Sequence, residues 1–129
     1  MCDIDYIFDL IDWNQPQEIQ KRGLELAKSV KSINAFLQPC DKKYNKNVWD
    51  NCAKILYERG DEELRPYLGR LMEWLEDMNA PGAFVVFDRL LLFRDKQWLK
   101  YIISVYMKEA ELLSENVWFE NLNNLNSMI

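Results

Sequence analysis

The sequence predicts an all-α fold of about seven helices. Apolar residues recur three and four positions apart along most of the chain, and residues suited to helix ends separate these segments. The composition agrees, since threonine is absent and only 4 Gly and 4 Pro occur, which favours helices over strands. We expect antiparallel helix pairs in a HEAT-like right-handed stack, with an irregular helical bundle as the alternative.

Two helices are predicted before the longest loop. The first covers residues 4–11, and its acidic start suits the positive end of a helix dipole. The second covers about residues 16–31, with Asn14 as a cap and Pro16 in the first turn. Gly23 inside this helix costs about 1 kcal/mol relative to alanine, so we expect another helix to cross closely there. The loop predicted for residues 32–46 follows.

Two further helices are predicted in the middle of the chain. Asn47 is expected to cap the third helix, which ends at Gly60. Asp61 is expected to cap the fourth, whose apolar face extends to Met78. Helical spacing places Trp49 beside an apolar stripe, and it does the same for Trp74 and Trp98, so these tryptophans are predicted to belong to the core.

The last three helices follow a tight reversal at Pro81, which is disfavoured within a helix but suits the first turn of the next. The fifth helix ends near Phe93, and the sixth covers about residues 96–113. Ser114 is expected to cap the seventh, which ends near Leu125, and the asparagine-rich residues 121–126 are expected to fray.

Composition limits the class of protein. A chain of 129 residues with 49% hydrophobic content predicts one domain, residues 1–129. No window approaches the roughly 18 apolar residues of a membrane span, and the acidic start is unlike a secretory signal, so we expect a cytoplasmic protein. The three cysteines are far apart and lack a CxxC spacing, which predicts neither a disulfide framework nor a zinc site.

Charge is distributed in blocks of alternating sign. The net charge of −5 argues against a nucleic-acid partner, because phosphate binding usually needs a basic surface. Residues 21–60 hold nine bases and four acids, whereas residues 61–80 hold six acids and two bases, and residues 109–129 hold four acids and no base. A stack of helices with this pattern would have surfaces of alternating charge.

The residues associated with catalysis are largely missing. Histidine is absent, and no GxGxxG, P-loop, HExxH or EF-hand pattern occurs, so the sequence predicts no enzyme activity, no metal site and no cofactor. A DNA glycosylase built on helical repeats is a remote alternative, supported only by the basic block between Lys21 and Lys54.

Two features are candidates for binding another protein. Arg70, Glu73 and Asp77 are spaced i, i+3 and i+7, which would align them on one solvent-facing strip of the fourth helix; a simply solvated helix face explains the same spacing. Trp13, between Asp12 and Asn14 at a helix junction, is the best candidate for an exposed anchor, although a core position is equally compatible with its sequence.

Residues 47–94 contain four distinctive segments: Asn47-Val48-Trp49-Asp50-Asn51-Cys52-Ala53, Leu64-Arg65-Pro66-Tyr67-Leu68, Leu71-Met72-Glu73-Trp74-Leu75-Glu76-Asp77-Met78-Asn79 and Pro81-Gly82-Ala83. With these segments the stretch resembles an uncharacterised bacterial family of small HEAT-like proteins. The family carries the phrase leucine-x-glutamate-tryptophan-leucine-glutamine-aspartate-methionine-asparagine-tryptophan-proline. This chain departs from it at two positions, since Glu76 stands where glutamine is common and Ala80 where tryptophan precedes the proline.

The resemblance implies a stack of short HEAT-like helix pairs similar to the immunity proteins encoded beside bacterial toxins. Such a protein would neutralise a basic toxin domain, such as a nuclease, by covering its active site, and the carboxylates of this chain suit that partner. A scaffold or adaptor that binds some other protein is an alternative that the residues do not distinguish from an immunity protein.

Overall fold

The computed structural model describes residues 4–39 and 46–129. In these ranges the regular structure is α-helices and short 3-10 helices, with no strand, which confirms the predicted all-α class. The α-helices are α1 (Ile4–Leu10), α2 (Gln17–Ala27), α3 (Trp49–Tyr57), α4 (Asp61–Leu64), α5 (Leu68–Trp74), α6 (Ala83–Leu91), α7 (Lys96–Leu112) and α8 (Asn116–Ser127).

The helices pack around one continuous set of buried apolar side chains to which every helix contributes. Helix α1 packs against α2, α3 against α6, and α7 against α8, while α5 contacts both α6 and α7. The segment predicted as a loop adds to the core through a 3-10 helix, Ile33–Phe36, because Phe36 and Leu37 are fully buried. Residues 40–45 of that predicted loop lie outside the described residues.

The predicted close crossing at Gly23 is confirmed. A Cβ atom added to this glycine would lie 2.6 Å from Ile11 Cγ2 and 2.8 Å from Leu10 Cβ. Ordinary carbon contacts need about 3.5–4.0 Å, so a larger residue would push α1 away from α2. The glycine therefore allows these two helices to approach each other closely.

The prediction of one continuous fourth helix is wrong. The structure divides it into α4 and α5, joined by the 3-10 helix Arg65–Tyr67. Pro66 accounts for the change, since proline lacks a backbone N–H and clashes with the preceding helical turn. Helix α5 then ends at Trp74, four residues before Met78.

Four predicted caps are also wrong. Helix α2 begins at Gln17 with Pro16 immediately before it, so Asn14 does not cap it. Helix α3 begins at Trp49, after the 3-10 helix Lys46–Val48, so Asn47 does not immediately precede it. Gly60 is the residue before α4, and Asp61 is the first residue of that helix. The Asp61 carboxylate bonds to Arg89 and to Arg94 N. Ser114 terminates α7 and does not cap α8.

The asparagine-rich end is helical to Ser127, with Leu122 and Leu125 buried, so fraying of residues 121–126 is not what the structure shows. The burial of these two leucines against the rest of the core explains the longer helix, since packing of an apolar face stabilises helices more than local propensity does. Among the described residues, no helix is both long and apolar enough to cross a membrane.

Candidate protein-binding site

The structure separates the three residues of the predicted strip. Arg70 and Glu73 lie on α5, with 3.6 Å between Arg70 Nε and Glu73 Oε2. Asp77 lies beyond the end of α5, and its Oδ1 accepts a hydrogen bond of 2.9 Å from Asn79 N. Because the helix stops at Trp74, the i, i+7 relation between Arg70 and Asp77 does not place them on one helical face.

Arg70 also has a structural role that its spacing does not indicate. Its Nη2 donates to the carbonyl oxygens of Leu37 and Pro39 at 3.4 and 3.3 Å. These bonds attach the buried segment after α2 to helix α5. The guanidinium therefore satisfies backbone acceptors within the fold as well as partly neutralising Glu73.

Trp13 is in the turn between α1 and α2, and 48% of its surface is exposed. Its backbone N donates to Asn47 O at 3.0 Å, which fixes the turn without using the indole ring. An exposed indole is thus available at this end of the molecule, and its use as a binding anchor remains a prediction.

Glu73 forms part of a cleft between α5, α7 and α8. The cleft has a volume of about 420 Å³. It is lined by Glu73, Glu76, Val105, Tyr106, Glu109, Leu113 and Trp118. Three carboxylates therefore border the same partly apolar cavity, which we call the acidic cleft.

Two side chains of α8 fix one wall of the acidic cleft to the end of α5. Trp118 Nε1 donates to Met72 O at 2.9 Å, and Asn121 Nδ2 donates to Leu75 O at 2.8 Å. Met72 O also accepts from Leu75 N at 3.1 Å, so Trp118 is a second donor to that carbonyl, and Asn121 bonds to the carbonyl of Leu75 just beyond the end of α5.

The opposite wall depends on a close approach between α5 and α7. A Cβ atom added at Gly69 would overlap the hydroxyl of Tyr106, so only glycine leaves room for that ring. The Tyr106 ring in turn lies 6.3 Å from the Trp118 ring, centroid to centroid. This contact joins α7 to α8 at the base of the cleft.

Charge crowding is greatest at Glu76. Burial raises the pKa of the Glu76 carboxyl above its ordinary value, and the negative charges of Glu115 and Glu73 raise it further. Both causes disfavour the ionised form of Glu76 in the folded protein, and the second is electrostatic repulsion from neighbouring carboxylates. A cation placed in the cleft would relieve it.

Apolar side chains extend outward from the cleft at the α7–α8 turn. Val117 is 66% exposed, and Leu113 is also exposed. Between them Ser114 has a φ of 56°, in the left-handed region. Ser114 N donates to Glu111 O and Glu115 N to Ala110 O, the paired bonds of a Schellman helix end in which glycine is the usual residue.

The basic block of the sequence forms a different groove, between α2 and α3, with a volume of about 600 Å³. Three of its bases have carboxylate partners: Lys28 with Glu25, Lys54 with Asp50, and Arg59 with Glu63. Arg59 also donates to two carbonyl oxygens near the end of α2. These interactions occupy the bases within the fold, so the groove gives the glycosylase alternative no support.

A second polar cluster holds the C-terminal end of α6 against the start of α4. Arg89 is buried and donates to Asp61 Oδ1 at 2.6 Å and to Arg59 O at 2.9 Å. Burial would raise the pKa of Asp61, but the hydrogen bond from Arg94 N and the Arg89 guanidinium together hold it below its ordinary value. The cluster is explained by its structural contacts.

The residues around Glu73 were not identified from the sequence. Glu76 and Glu115 are far apart in the chain, and their charges come together because α7 packs against both α5 and α8 and because Trp118 and Asn121 of α8 bond to carbonyls at the end of α5. The one available signal was the acidic final block, residues 109–129, which supplies Glu109 and Glu115. Among the described residues, no cluster of acids, cysteines or histidines has the arrangement of a metal site.

Comparison of the chain with protein-family models, with curated proteins and with solved structures found no match.

Proposed function

We propose that this chain is a non-catalytic binding protein whose partner is another protein with a basic surface. The acidic cleft carries the proposal, because it combines crowded carboxylates with exposed apolar side chains at its edge. Interfaces commonly pair an apolar core with a charged rim, and complementary charge speeds association.

The raised pKa of Glu76 gives this proposal its physical basis. The carboxylates of Glu73 and Glu115 both repel the carboxylate of Glu76 in the protein alone. A lysine or arginine of the partner, inserted beside Trp118, would replace this repulsion by attraction in a partly desolvated site, where charges interact more strongly than in water. The gain is specific to a positive group.

The more specific form of the proposal is an immunity protein, with a HEAT-like arrangement of its helix pairs, that acts in the cytoplasm on a cognate toxin. The resemblance of residues 47–94 to that kind of protein supports it, and so does the acidic cleft. On this proposal the acidic surface covers the basic substrate-binding face of the toxin. Neither a cofactor nor a metal takes part.

The test is direct binding to the product of the gene adjacent to this one. Isothermal titration of the two purified proteins should give a complex whose affinity falls as salt rises from about 50 to 500 mM. The double variant Glu76→Lys/Glu109→Lys should bind at least about tenfold more weakly at low salt. The matched control is Glu58→Lys, which reverses an exposed acid on the far groove and should bind like the wild type.

Failure to bind the products of the genes on either side would contradict the immunity proposal. Binding that is equally weakened by Glu58→Lys and by the cleft variant would contradict the location of the site. If a complex forms, co-expression with the toxin should restore growth of the host, and loss of this protection in the cleft variant would connect binding with function.

A further inference from the structure

The outer face of α7 has the spacing of a helix that packs against another helix. This helix has 17 residues, and Leu99, Ile103 and Ala110 are its buried residues. On the opposite side are Tyr101, Val105, Lys108 and Leu112, which we call the α7 stripe. Their separations of four, three and four residues place them within about 60° around the helix axis.

The apolar members of the α7 stripe face solvent. Tyr101 is 57% exposed and Leu112 is 77% exposed, and Val105 is also exposed. Alternating separations of three and four are those of the a and d positions of a coiled coil, whose side chains pack between those of a partner helix. Lys108 is compatible with such packing, because the aliphatic part of a lysine can lie along an apolar surface with its charge in water.

The charges beside the α7 stripe indicate which helix would pack there. Lys100 and Glu111 lie on the same flank of α7, 11 residues or about three turns apart. Within the described part of the chain, neither has an oppositely charged side chain within ion-pair distance. A partner helix would need an acid opposite Lys100 and a base opposite Glu111.

We propose that a second copy of this chain packs on the α7 stripe, with the two α7 helices antiparallel. A two-fold axis near residues 105 and 106 puts Lys100 of each copy opposite Glu111 of the other. The same axis brings Tyr101 close to Leu112 of the other copy, with the two Val105 side chains at the centre. Both the charges and the apolar contacts are then self-complementary, which a symmetric dimer interface requires.

The size of the interface sets the expected strength. A helix of 17 residues is about 25 Å long, and contact along one such helix lies at the low end of the areas of specific interfaces. We therefore expect a reversible dimer with a Kd on the order of 10–100 µM.

The test is sedimentation velocity of the purified protein without any partner, over concentrations from about 1 µM to 1 mM. Lys100→Glu and Glu111→Lys should each weaken the dimer about tenfold. The pair between Lys100 and Glu111 occurs twice in a two-fold dimer, so one substitution disrupts both copies. The double variant Lys100→Glu/Glu111→Lys should restore the wild-type Kd, since each new acid then faces a new base. The control Lys21→Glu makes the same change of charge at an exposed position of α2 and should leave the Kd of the dimer unchanged.

Rescue by the double variant is the outcome that a general charge effect cannot produce. A wild-type protein that stays monomeric at about 1 mM, or a dimer whose Kd is unchanged by either single variant, would overturn the proposal. A double variant weaker than both single variants would overturn the antiparallel arrangement. All three substituted positions, Lys21, Lys100 and Glu111, are exposed, so circular dichroism should show unchanged folding for every variant.

This inference does not rest on the proposed function, because the dimer is measured with the chain alone. Val105 belongs both to the α7 stripe and to the acidic cleft, so dimer formation and occupation of the cleft should weaken each other. Glu76→Lys should leave the dimer unchanged, which keeps the two proposals separable.

Discussion

Replacing Gly23 with alanine tests the close contact between α1 and α2. The new Cβ atom would lie 2.8 Å from Leu10 Cβ and 3.3 Å from Ile11 N. Neither atom can move away by rotating a side chain, because one is attached directly to Cα and the other belongs to the backbone. Helix α1 must therefore shift by several tenths of an ångström or more.

The expected loss of stability follows from two opposing terms. Overpacking of a tight site costs about 1–3 kcal/mol, and alanine gains about 1 kcal/mol over glycine inside a helix. Taking about 2 kcal/mol for the first term, we expect Gly23→Ala to lower the free energy of unfolding by about 1 kcal/mol. For a chain of this length that corresponds to a Tm lower by about 4 °C.

Urea unfolding followed by far-ultraviolet circular dichroism measures this change directly. Gly60→Ala is the matched control, since no atom lies within 4 Å of its added Cβ and its φ of −72° is accessible to alanine. We expect the control to change stability by no more than about 0.5 kcal/mol. A Gly23→Ala protein as stable as the wild type, or more stable, would refute the close crossing.

Three further predictions concern the acidic cleft and its supports. Trp118→Phe should lower the free energy of unfolding by about 0.5–1.5 kcal/mol, because the buried hydrogen bond from Nε1 to Met72 O is lost while Leu75 N still donates to that carbonyl; urea unfolding should show little change in Trp13→Phe, and an equal loss in both would contradict this role. Ser114→Gly should raise stability by about 0.5–1 kcal/mol by removing a left-handed non-glycine residue, whereas a lower Tm would argue against the Schellman end. Glu76 has a raised folded-state pKa, so its contribution to stability is present below its unfolded pKa of about 4.5 and is lost as pH rises through the folded value. Glu76→Gln should therefore raise the Tm at pH 7 and leave it nearly unchanged at about pH 3.5, and the opposite pH dependence would contradict the crowding of charge.

Local signals were sufficient for the helical class and for several specific positions. Helical spacing predicted the helices, and a glycine inside α2 predicted the close crossing that Gly23 makes with α1. Trp13 is exposed at a helix junction, one of the two positions that its sequence left open. The prediction for the tryptophans near apolar stripes is clearest at Trp74, which is fully buried. Each of these depends on residues within one or two turns.

The errors in the middle of the chain have two different sources. Pro66 was a local signal, and its effect on the fourth helix could have been predicted from the sequence. The end of α5 at Trp74 is different. Trp118 and Asn121 lie more than 40 residues further along the chain, and their side chains donate hydrogen bonds to Met72 O and Leu75 O. No pattern within residues 61–78 contains that information.

The sequence by itself determined an all-helical chain without histidine and with acids concentrated in blocks. Only the tertiary structure decided which acids interact. The Asp77 carboxylate accepts a hydrogen bond within its own turn, whereas Glu76 is close enough to Glu115 for that charge to raise its pKa. The physical reason is the distance along the chain over which each effect acts. Helix formation depends on neighbours three and four residues apart, whereas the electrostatics of a cleft depend on which helix ends pack together, and that is decided by the fit of buried side chains across the whole core.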